Sequence, residues 1–363
     1  MKKIIKIILL LNLTFSLFIG GVFAEEKIRI GLLVPLTGKD SEIGQSIIQS
    51  IRLAINQINN LSIEIIPKDT ASNPEVTLKS AKELNTLGVK IVIGPVFNEN
   101  LVYLDEVSEI TFLSLTNKRD NGSKNIINAG INATSQLNAI KKFIKLEKIK
   151  KTIFLIPDVE YKDEVKQAIS ESKIKVIKSY IYNTDPTKLT QQIEKITDYK
   201  RRKQNLEDEI KRLDESDEDN KERLIERLKK KDTLGNVKFD SLIIADFDES
   251  LKSVTTSLLY TDILPKKKYF ITFNQWFDES LLIETSSQPL YFPSINKKNY
   301  EIFSSKYFEK YNQYPNQLSF LSFDLIGLVY YLIIQNELII DKKIFTKKNL
   351  FKGKVGIFEI KNN

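Results

Sequence analysis

Residues 27–44 run Lys27-Ile28-Arg29-Ile30-Gly31-Leu32-Leu33-Val34-Pro35-Leu36-Thr37-Gly38-Lys39-Asp40-Ser41-Glu42-Ile43-Gly44. Ile28 to Val34 is a short, nearly continuous apolar run closed by Pro35, the pattern of a buried strand. Asp40 or Ser41 then caps a helix whose apolar residues, Ile43, Ile47, Ile48, Ile51, Leu53, Ala54 and Ile58, recur at helical spacing. Gly38 and Gly44 fit a tight turn and a close helix contact. Gly38-Lys39 is not a phosphate loop, because position 33 is Leu and position 40 is Asp. A buried strand feeding an amphipathic helix is half of a βαβ unit, and the rest of the chain repeats it.

The alternation continues. Strands are expected at Leu61 to Ile66, Val89 to Ile93 and Thr111 to Leu115, with a helix starting at Asn73-Pro74 and another near Glu99 to Ser108. Beyond Asn132 come a helix near Gln136 to Leu146, strand Lys151 to Ile156, helix Lys162 to Ser172 and strand Ile174 to Ile181. After an interruption follow strand Ser241 to Ala245, helix Ser250 to Tyr260 and strand Tyr269 to Thr272. Strands separated by single helices predict parallel sheets with right-handed crossovers. Two such sets predict a two-lobed α/β fold. Lobe 1 is expected at 25–130 plus 292–335, and lobe 2 at 131–291 plus 336–363. Three chain crossings between them would serve as a hinge. Leu318 to Gln335 is apolar enough for a membrane span, but Asp324 and its modest length favour a buried helix.

The interruption has its own pattern. Asp185-Pro186 opens a helical stretch expected to continue through Leu213, Asp214 to Asn220 forms an acidic turn, and a second helix returns to about Leu234-Gly235. Leu206, Ile210 and Leu213 on one arm face Leu224, Ile225 and Leu228 on the other. Most other positions are charged. This predicts an antiparallel helical hairpin over 196–234, inserted in lobe 2 and zipped by a thin apolar seam. It reads either as a solvated insertion or as a docking arm, with Arg201, Arg202, Arg223 and Arg227 as the partner-docking candidates.

Composition removes whole classes of chemistry. The 363 residues contain no Cys and no His. That excludes zinc fingers, disulfide frameworks, thiol nucleophiles and Ser-His-Asp triads. A metal site would have to be oxygen-only; no metal, cofactor or catalytic residue is assigned. The formal net charge is +8, made of scattered lysines with no nucleic-acid signature. Lys2, Lys3 and Lys6 precede an apolar stretch from Ile7 to Phe18, and Val22-Phe23-Ala24 fits a cleavage site. A signal peptide over residues 1–24, cut after Ala24, is therefore expected. No cysteine is present for a lipid anchor, and the mature chain is expected as a soluble exported protein.

The opening Ile30-Gly31-Leu32-Leu33-Val34-Pro35-Leu36-Thr37-Gly38, with Lys68-Asp69-Thr70, Val92-Ile93-Gly94-Pro95 and Leu113-Ser114-Leu115-Thr116-Asn117, resembles type I periplasmic binding proteins, including those for branched-chain amino acids. The charged hairpin followed by Asp232-Thr233-Leu234-Gly235, then Phe239 to Ile244, Tyr260-Thr261-Asp262-Ile263, Pro265 and Gln275-Trp276, is similar to the penicillin-binding-protein activator branch. That branch implies regulation of peptidoglycan synthases. This chain departs from it in lacking both a lipidated cysteine and room for an N-terminal helical-repeat domain.

The resemblance also implies ligand-cleft positions. In amino-acid binders the ligand carboxylate is held after the third and fourth strands, which here matches Asn98, Thr116 and Asn117; Ser114, closing the same strand as Thr116, is either a further cleft contact or a cap of the next turn. A cleft tyrosine is matched by Tyr161, and a second aromatic position by Phe247, which lacks the hydroxyl. The acidic partner of the ligand ammonium falls at Asn274, so Asp246 or Asp248 would have to replace it, because a buried charge needs a partner. Trp276 is either a cleft wall or a hinge-packing residue. Two functions follow: a regulator that binds a peptidoglycan synthase, or a solute-binding component delivering an amino-acid-like molecule to an ABC permease. An enzyme has little behind it.

Overall fold

The computed structural model describes residues 27–58, 63–118, 123–273, 285–338 and 340–360. In chain order the first strands and helices are β1 (Ile28–Val34), α1 (Ser41–Ile58), β2 (Ile63–Asp69), α2 (Pro74–Thr86), β3 (Ile91–Ile93), β4 (Thr111–Ser114), β5 (Ile126–Asn128) and α3 (Ala133–Leu146). There follow β6 (Thr152–Pro157), α4 (Lys162–Ser172), β7 (Lys178–Tyr182), α5 (Pro186–Ile196), α6 (Tyr199–Asp214), α7 (Lys221–Lys229), β8 (Ser241–Ile244), α8 (Asp248–Tyr260), β9 (Tyr269–Thr272) and β10 (Leu290–Tyr291). The chain closes with α9 (Lys297–Tyr311), α10 (Gln317–Gln335), β11 (Asn349–Lys352) and β12 (Ile357–Ile360).

The strands form two all-parallel five-stranded sheets, ordered β2-β1-β3-β4-β5 and β10-β9-β8-β6-β7. The expected parallel α/β architecture is what the chain adopts. Two compact units divide the chain at Gly130 and again at Lys297–Lys298.

In the first unit, β1 is buried from Ile30 to Val34, as a parallel strand covered on both faces must be. Gly44 lets α1 lie against the end of β1: a Cβ there would sit 1.7 Å from the Pro35 carbonyl oxygen. Asn73 caps α2, its side chain accepting the Glu75 and Val76 N–H groups, with Pro74 in the first turn. The helix expected near Glu99 to Ser108 is instead two 3₁₀ turns, Asn98–Leu101 and Leu104–Glu106. Leu101, Leu104 and Val107 are all buried, and a spacing of three puts one apolar row on a three-residue turn.

The apolar helix α10 packs along α1. Ser46 Oγ lies 2.5 Å from Ser319 Oγ, and Ser50 Oγ donates to the Ser319 carbonyl. It is the one described helix long and apolar enough to cross a membrane, and most of it is buried in the fold.

Residues 336–363 were expected with the second lobe, but β11 and β12 group with the first unit. The reason is Asp324, in the middle of α10, which accepts the Val355 N–H at 2.5 Å. Lys354 lies over the Phe323 ring and Phe351 packs on Tyr331. Burial pushes the Asp324 carboxyl above its ordinary value, opposed by the backbone N–H groups of Lys354 and Val355 and by the Lys354 charge.

In the second unit both sheet faces are covered. One carries Ile153, Leu155, Leu242 and Ile244 beneath α5 and α8, and the other Phe154, Ile156 and Ile243 beneath α3 and α4. The long helix expected from Pro186 to Leu213 breaks at Thr197-Asp198. Thr197 Oγ1 closes α5 by donating to the Ile193 carbonyl, and Asp198 turns left-handed at φ 50°.

Candidate functional site

Ligands of open parallel sheets bind beyond the carboxyl ends of the strands. In the first unit, Asp69 closes β2 and ties two loops together. Its carboxylate accepts the Leu36 N–H at 2.7 Å, the Thr37 hydroxyl at 2.6 Å and the Ala71 N–H at 2.8 Å. Partial burial raises its pKa, but these donors prevail and hold it below the ordinary value.

Ser114 ends β4 fully buried, and its Oγ accepts the Thr116 N–H at 3.3 Å. Thr116 Oγ1 in turn accepts the Lys118 N–H at 3.2 Å. The backbone here is pinned from the far side. Ala129 and Gly130 both donate to the Ser114 carbonyl, and a Cβ on Gly130 would come within 2.0 Å of the Thr116 oxygen. Both hydroxyls therefore shape a turn. Asn98, which opens the first 3₁₀ turn after β3, and Asn117, three residues beyond β4, stand exposed.

In the second unit the structure gathers Tyr161, Asp246 and Phe247, and adds two residues that sequence reasoning missed. Asp246 follows β8 and is 3% exposed. One carboxylate oxygen accepts the Tyr182 hydroxyl at 2.5 Å and the Ser250 hydroxyl at 2.6 Å. The other accepts the Phe247 N–H at 2.9 Å and the Tyr161 hydroxyl at 3.3 Å. Burial first, and then the Asp246 charge, push both tyrosines above the ordinary phenol value, so both stay neutral donors. Phe247 packs edge-on to Tyr161, ring centroids 6.0 Å apart, and lies 6.3 Å from Phe273.

Asp246 was expected as a stand-in partner for a ligand ammonium. Instead its oxygens are engaged by four donors of its own fold, which stabilise a buried carboxylate without an external cation. Tyr182 gave a faint signal as the last residue of an alternating strand, and Ser250 as an i+4 neighbour of Asp246. Asn274 and Trp276 lie outside the described residues.

The hairpin arrives as expected in its seam. Leu206, Leu213 and Leu228 are buried, flanked by Ile210, Leu224, Ile225 and Leu234. Its root returns beside its start, since the Leu234 N–H donates to the Arg202 carbonyl at 2.9 Å. The four arginines separate into two kinds. Arg202 is 4% exposed and acts as a bolt. Its guanidinium donates to the Thr197 carbonyl at 2.9 Å, to Thr233 Oγ1 at 2.9 Å and to the Thr261 carbonyl. Thr233 passes the contact on to Asp262 at 2.6 Å. Burial pulls the Arg202 pKa down, and the charges of Asp262 and Asp198 oppose it. Arg202 is thus a correction to the docking set. Arg201, one residue earlier, is exposed and pairs with Asp198 at 2.7 Å. Arg223 and Arg227 are exposed on α7. At the far end Arg212 bridges Glu209 and Glu218 across the acidic turn, at 2.8 and 3.2 Å.

Among the described residues no group of three or more acidic side chains is placed to hold a metal.

The sequence profile of the family described as periplasmic binding protein matches residues 27–200. No curated protein matches the chain. Among solved structures, the C-domain of LpoA from Haemophilus influenzae, a regulator of PBP1A, aligns over 91% of each chain with a TM-score of 0.61 and 15% identity. A branched-chain amino-acid ABC transporter ligand-binding protein from Burkholderia xenovorans covers 90% of this chain and 84% of its own, with a TM-score of 0.60 and 11% identity. The isoleucine complex of LivJ from Streptococcus pneumoniae covers 92% of both chains, with a TM-score of 0.50 and 16% identity. The fold is that of the two-lobed periplasmic binding proteins, and the solved structures sharing it include both ligand-binding proteins of ABC transporters and a regulator of PBP1A.

Proposed function

We propose that this chain is a non-enzymatic, exported binding protein of the periplasm that regulates a peptidoglycan synthase. The observation that carries this reading is the hairpin. Its root is fixed by a buried arginine with three hydrogen bonds, while Arg201, Arg223 and Arg227 stay exposed. A solvated insertion without a task has no need of a buried charged bolt, because burying an arginine is costly unless its partners are in place. A fixed root presents a charged arm in a defined orientation, which lowers the ordering cost of docking a partner.

A second observation points the same way. The carboxylate best placed to receive an amino-acid ammonium, Asp246, is occupied by Tyr161, Tyr182 and Ser250. The fold shared with the LpoA C-domain is compatible with this role. The alternative, solute capture for an ABC permease, draws on Asn98 and Asn117, which stand exposed beyond β3 and β4.

Binding of the purified chain to purified peptidoglycan synthases of the same cell tests the proposal. The expected result is saturable binding, lost when Arg223 and Arg227 are both replaced by Glu, with an unchanged melting temperature. Absent binding, together with a melting shift from an amino acid, would transfer the chain to solute capture. A ligand at 100 times its Kd stabilises by about 2.7 kcal/mol, enough to move the transition by several degrees. N-terminal sequencing of the exported protein is expected to begin at Glu25.

A further inference from the structure

All strands of the second sheet run parallel, so the segments leading into them meet at one end of that unit. Those segments are rich in lysine. Lys148, Lys150 and Lys151 precede β6, while Lys173 and Lys175 precede β7, whose first residue is Lys178. Lys238 precedes β8, and Lys266 and Lys267 precede β9. All of them are exposed, and none is in an ion pair among the described residues. The hairpin root adds Lys229, Lys230 and Lys231, of which Lys230 pairs with Glu226 at 3.4 Å. The carboxylates at this end are fewer: Glu147, Glu171, Asp232, Asp240 and Asp262. In the same region Glu194 is offset by its neighbour Lys195, and Asp198 by Arg201.

Neither the fold nor the lysine content of the chain requires this concentration. Helix carboxyl ends lie at the same end of a βαβ unit and favour nearby cations, yet the first unit satisfies its own with far fewer. There Lys27 precedes β1, Lys90 precedes β3 and Lys124 precedes β5, and Lys90 is paired with Glu109 at 3.6 Å. At the opposite end of the second sheet the sign reverses. Asp158, Glu160, Asp185, Asp246, Asp248 and Glu249 follow its strands there, against Lys162 and Lys188. A second feature coincides with the lysines. Among the described residues of the second unit, the most exposed large apolar side chains are Leu146, Tyr260 and Ile177, at 77%, 55% and 53%. Leu146 ends α3, Tyr260 ends α8 and Ile177 stands just before β7, so all three belong to the lysine end.

We propose that this end of the second unit binds peripherally to a bilayer of anionic phospholipid. Protein interfaces favour arginine and deplete lysine, and no arginine stands in the segments leading into β6, β7, β8 and β9 from Glu147, Lys173, Lys238 and Lys266. Lysine is a compact point charge without the fork that selects a single carboxylate or phosphate. Several of them spread over the ends of four strands, spaced about 5 Å apart, match a diffuse layer of negative charge. Leu146, Ile177 and Tyr260 supply the apolar side chains that enter the boundary between headgroups and acyl chains beside those cations. The lysines and apolar residues that carry the proposal lie outside the α6–α7 pair, so it is independent of the hairpin reading.

The test is co-sedimentation of the purified chain with vesicles of phosphatidylcholine, alone or mixed equally with phosphatidylglycerol, at low and moderate salt. The expected result is salt-sensitive binding to the mixed vesicles alone. Each lysine beside an anionic surface contributes about fivefold, so Lys150→Gln, Lys175→Gln and Lys266→Gln together lower the partition coefficient by about 100-fold. Leu146→Ser with Ile177→Ser lowers it by about tenfold. The same loss of charge in the first unit, through Lys39→Gln, Lys79→Gln and Lys298→Gln, changes it by less than about threefold, because charges beyond a Debye length are screened. All of these positions are exposed, so unchanged melting transitions are expected in every variant. Equal binding to both kinds of vesicle, no binding to the mixed vesicles at millimolar lipid, or an equal loss in the first-unit variant would each overturn the proposal. So would binding to soluble polyglutamate without binding to vesicles, because this end would then serve an acidic protein.

Discussion

The second sheet and the helical pair inserted before its strand β8 occupy one stretch of chain and are held by different means. Across β6, β8 and β9, apolar side chains cover both faces, and Phe154, Leu155, Leu242, Ile243, Ile244 and Phe270 are all fully buried. Removing any one leaves many others in place. The α6–α7 pair has one seam of three buried leucines and is held at its root by the Arg202 guanidinium, the Leu234–Arg202 backbone bond and the Tyr199–Tyr260 ring contact. Distributed apolar burial makes an all-or-none core, whereas a few concentrated contacts make an element that can open by itself. The hairpin is therefore expected to open without disturbing the sheet.

That contrast can be broken at several levels. Phe154→Ala is expected to have the largest effect, about 3–5 kcal/mol by urea unfolding, lowering the stability of the whole second unit. Arg202→Ala follows. It strands the Thr197 and Thr261 carbonyls and Thr233, at a cost of about 2–4 kcal/mol. Hydrogen exchange should show protection lost from Tyr199 to Lys229 while β6 and β8 keep theirs. Equal loss in both would mean that hairpin and sheet are one cooperative block. Leu213→Ala should cost about 2–3 kcal/mol, again confined to the hairpin.

Arg201→Glu should change stability by no more than about 0.5 kcal/mol, because Arg201 and Asp198 are both solvated. The neighbouring arginines would then differ severalfold in the same assay. The smallest expected effect is on pH. The hydrogen bond from Arg212 holds Glu209 below its ordinary value of 4.5. A carboxyl depressed in the folded state contributes stability above 4.5 that is lost as pH falls through its lowered value. Acidification should therefore loosen the far end of the hairpin, and Glu209→Gln should flatten that response.

Much of this was legible in the sequence for physical reasons. Buried parallel strands need near-continuous apolar runs, so Ile28–Val34, Thr152–Pro157 and Ser241–Ile244 declared themselves, and the seam leucines followed from helical spacing. What could not be read depended on phase and on distant partners. Arg201 and Arg202 are chemically identical in the sequence. The left-handed break at Asp198 sets which of them faces inward. Asp246 looked like a ligand for a cation because its donors, Tyr161 and Tyr182, lie 85 and 64 residues away. The tail strands offered no clue that Asp324 would receive Val355.

The helix that carries Asp324 has a meaning before the chain is folded. A protein exported unfolded presents each segment in turn to the membrane, where nineteen residues as apolar as Gln317–Gln335 are long enough to lodge as a span. An aspartate near the centre of such a segment disfavours insertion by about 2.5–3.5 kcal/mol. In a chain exported as proposed above, the carboxylate that later fastens the tail strands would first keep its own helix from being retained in the bilayer, and Asp324→Leu would trade a folding contact for a stop signal.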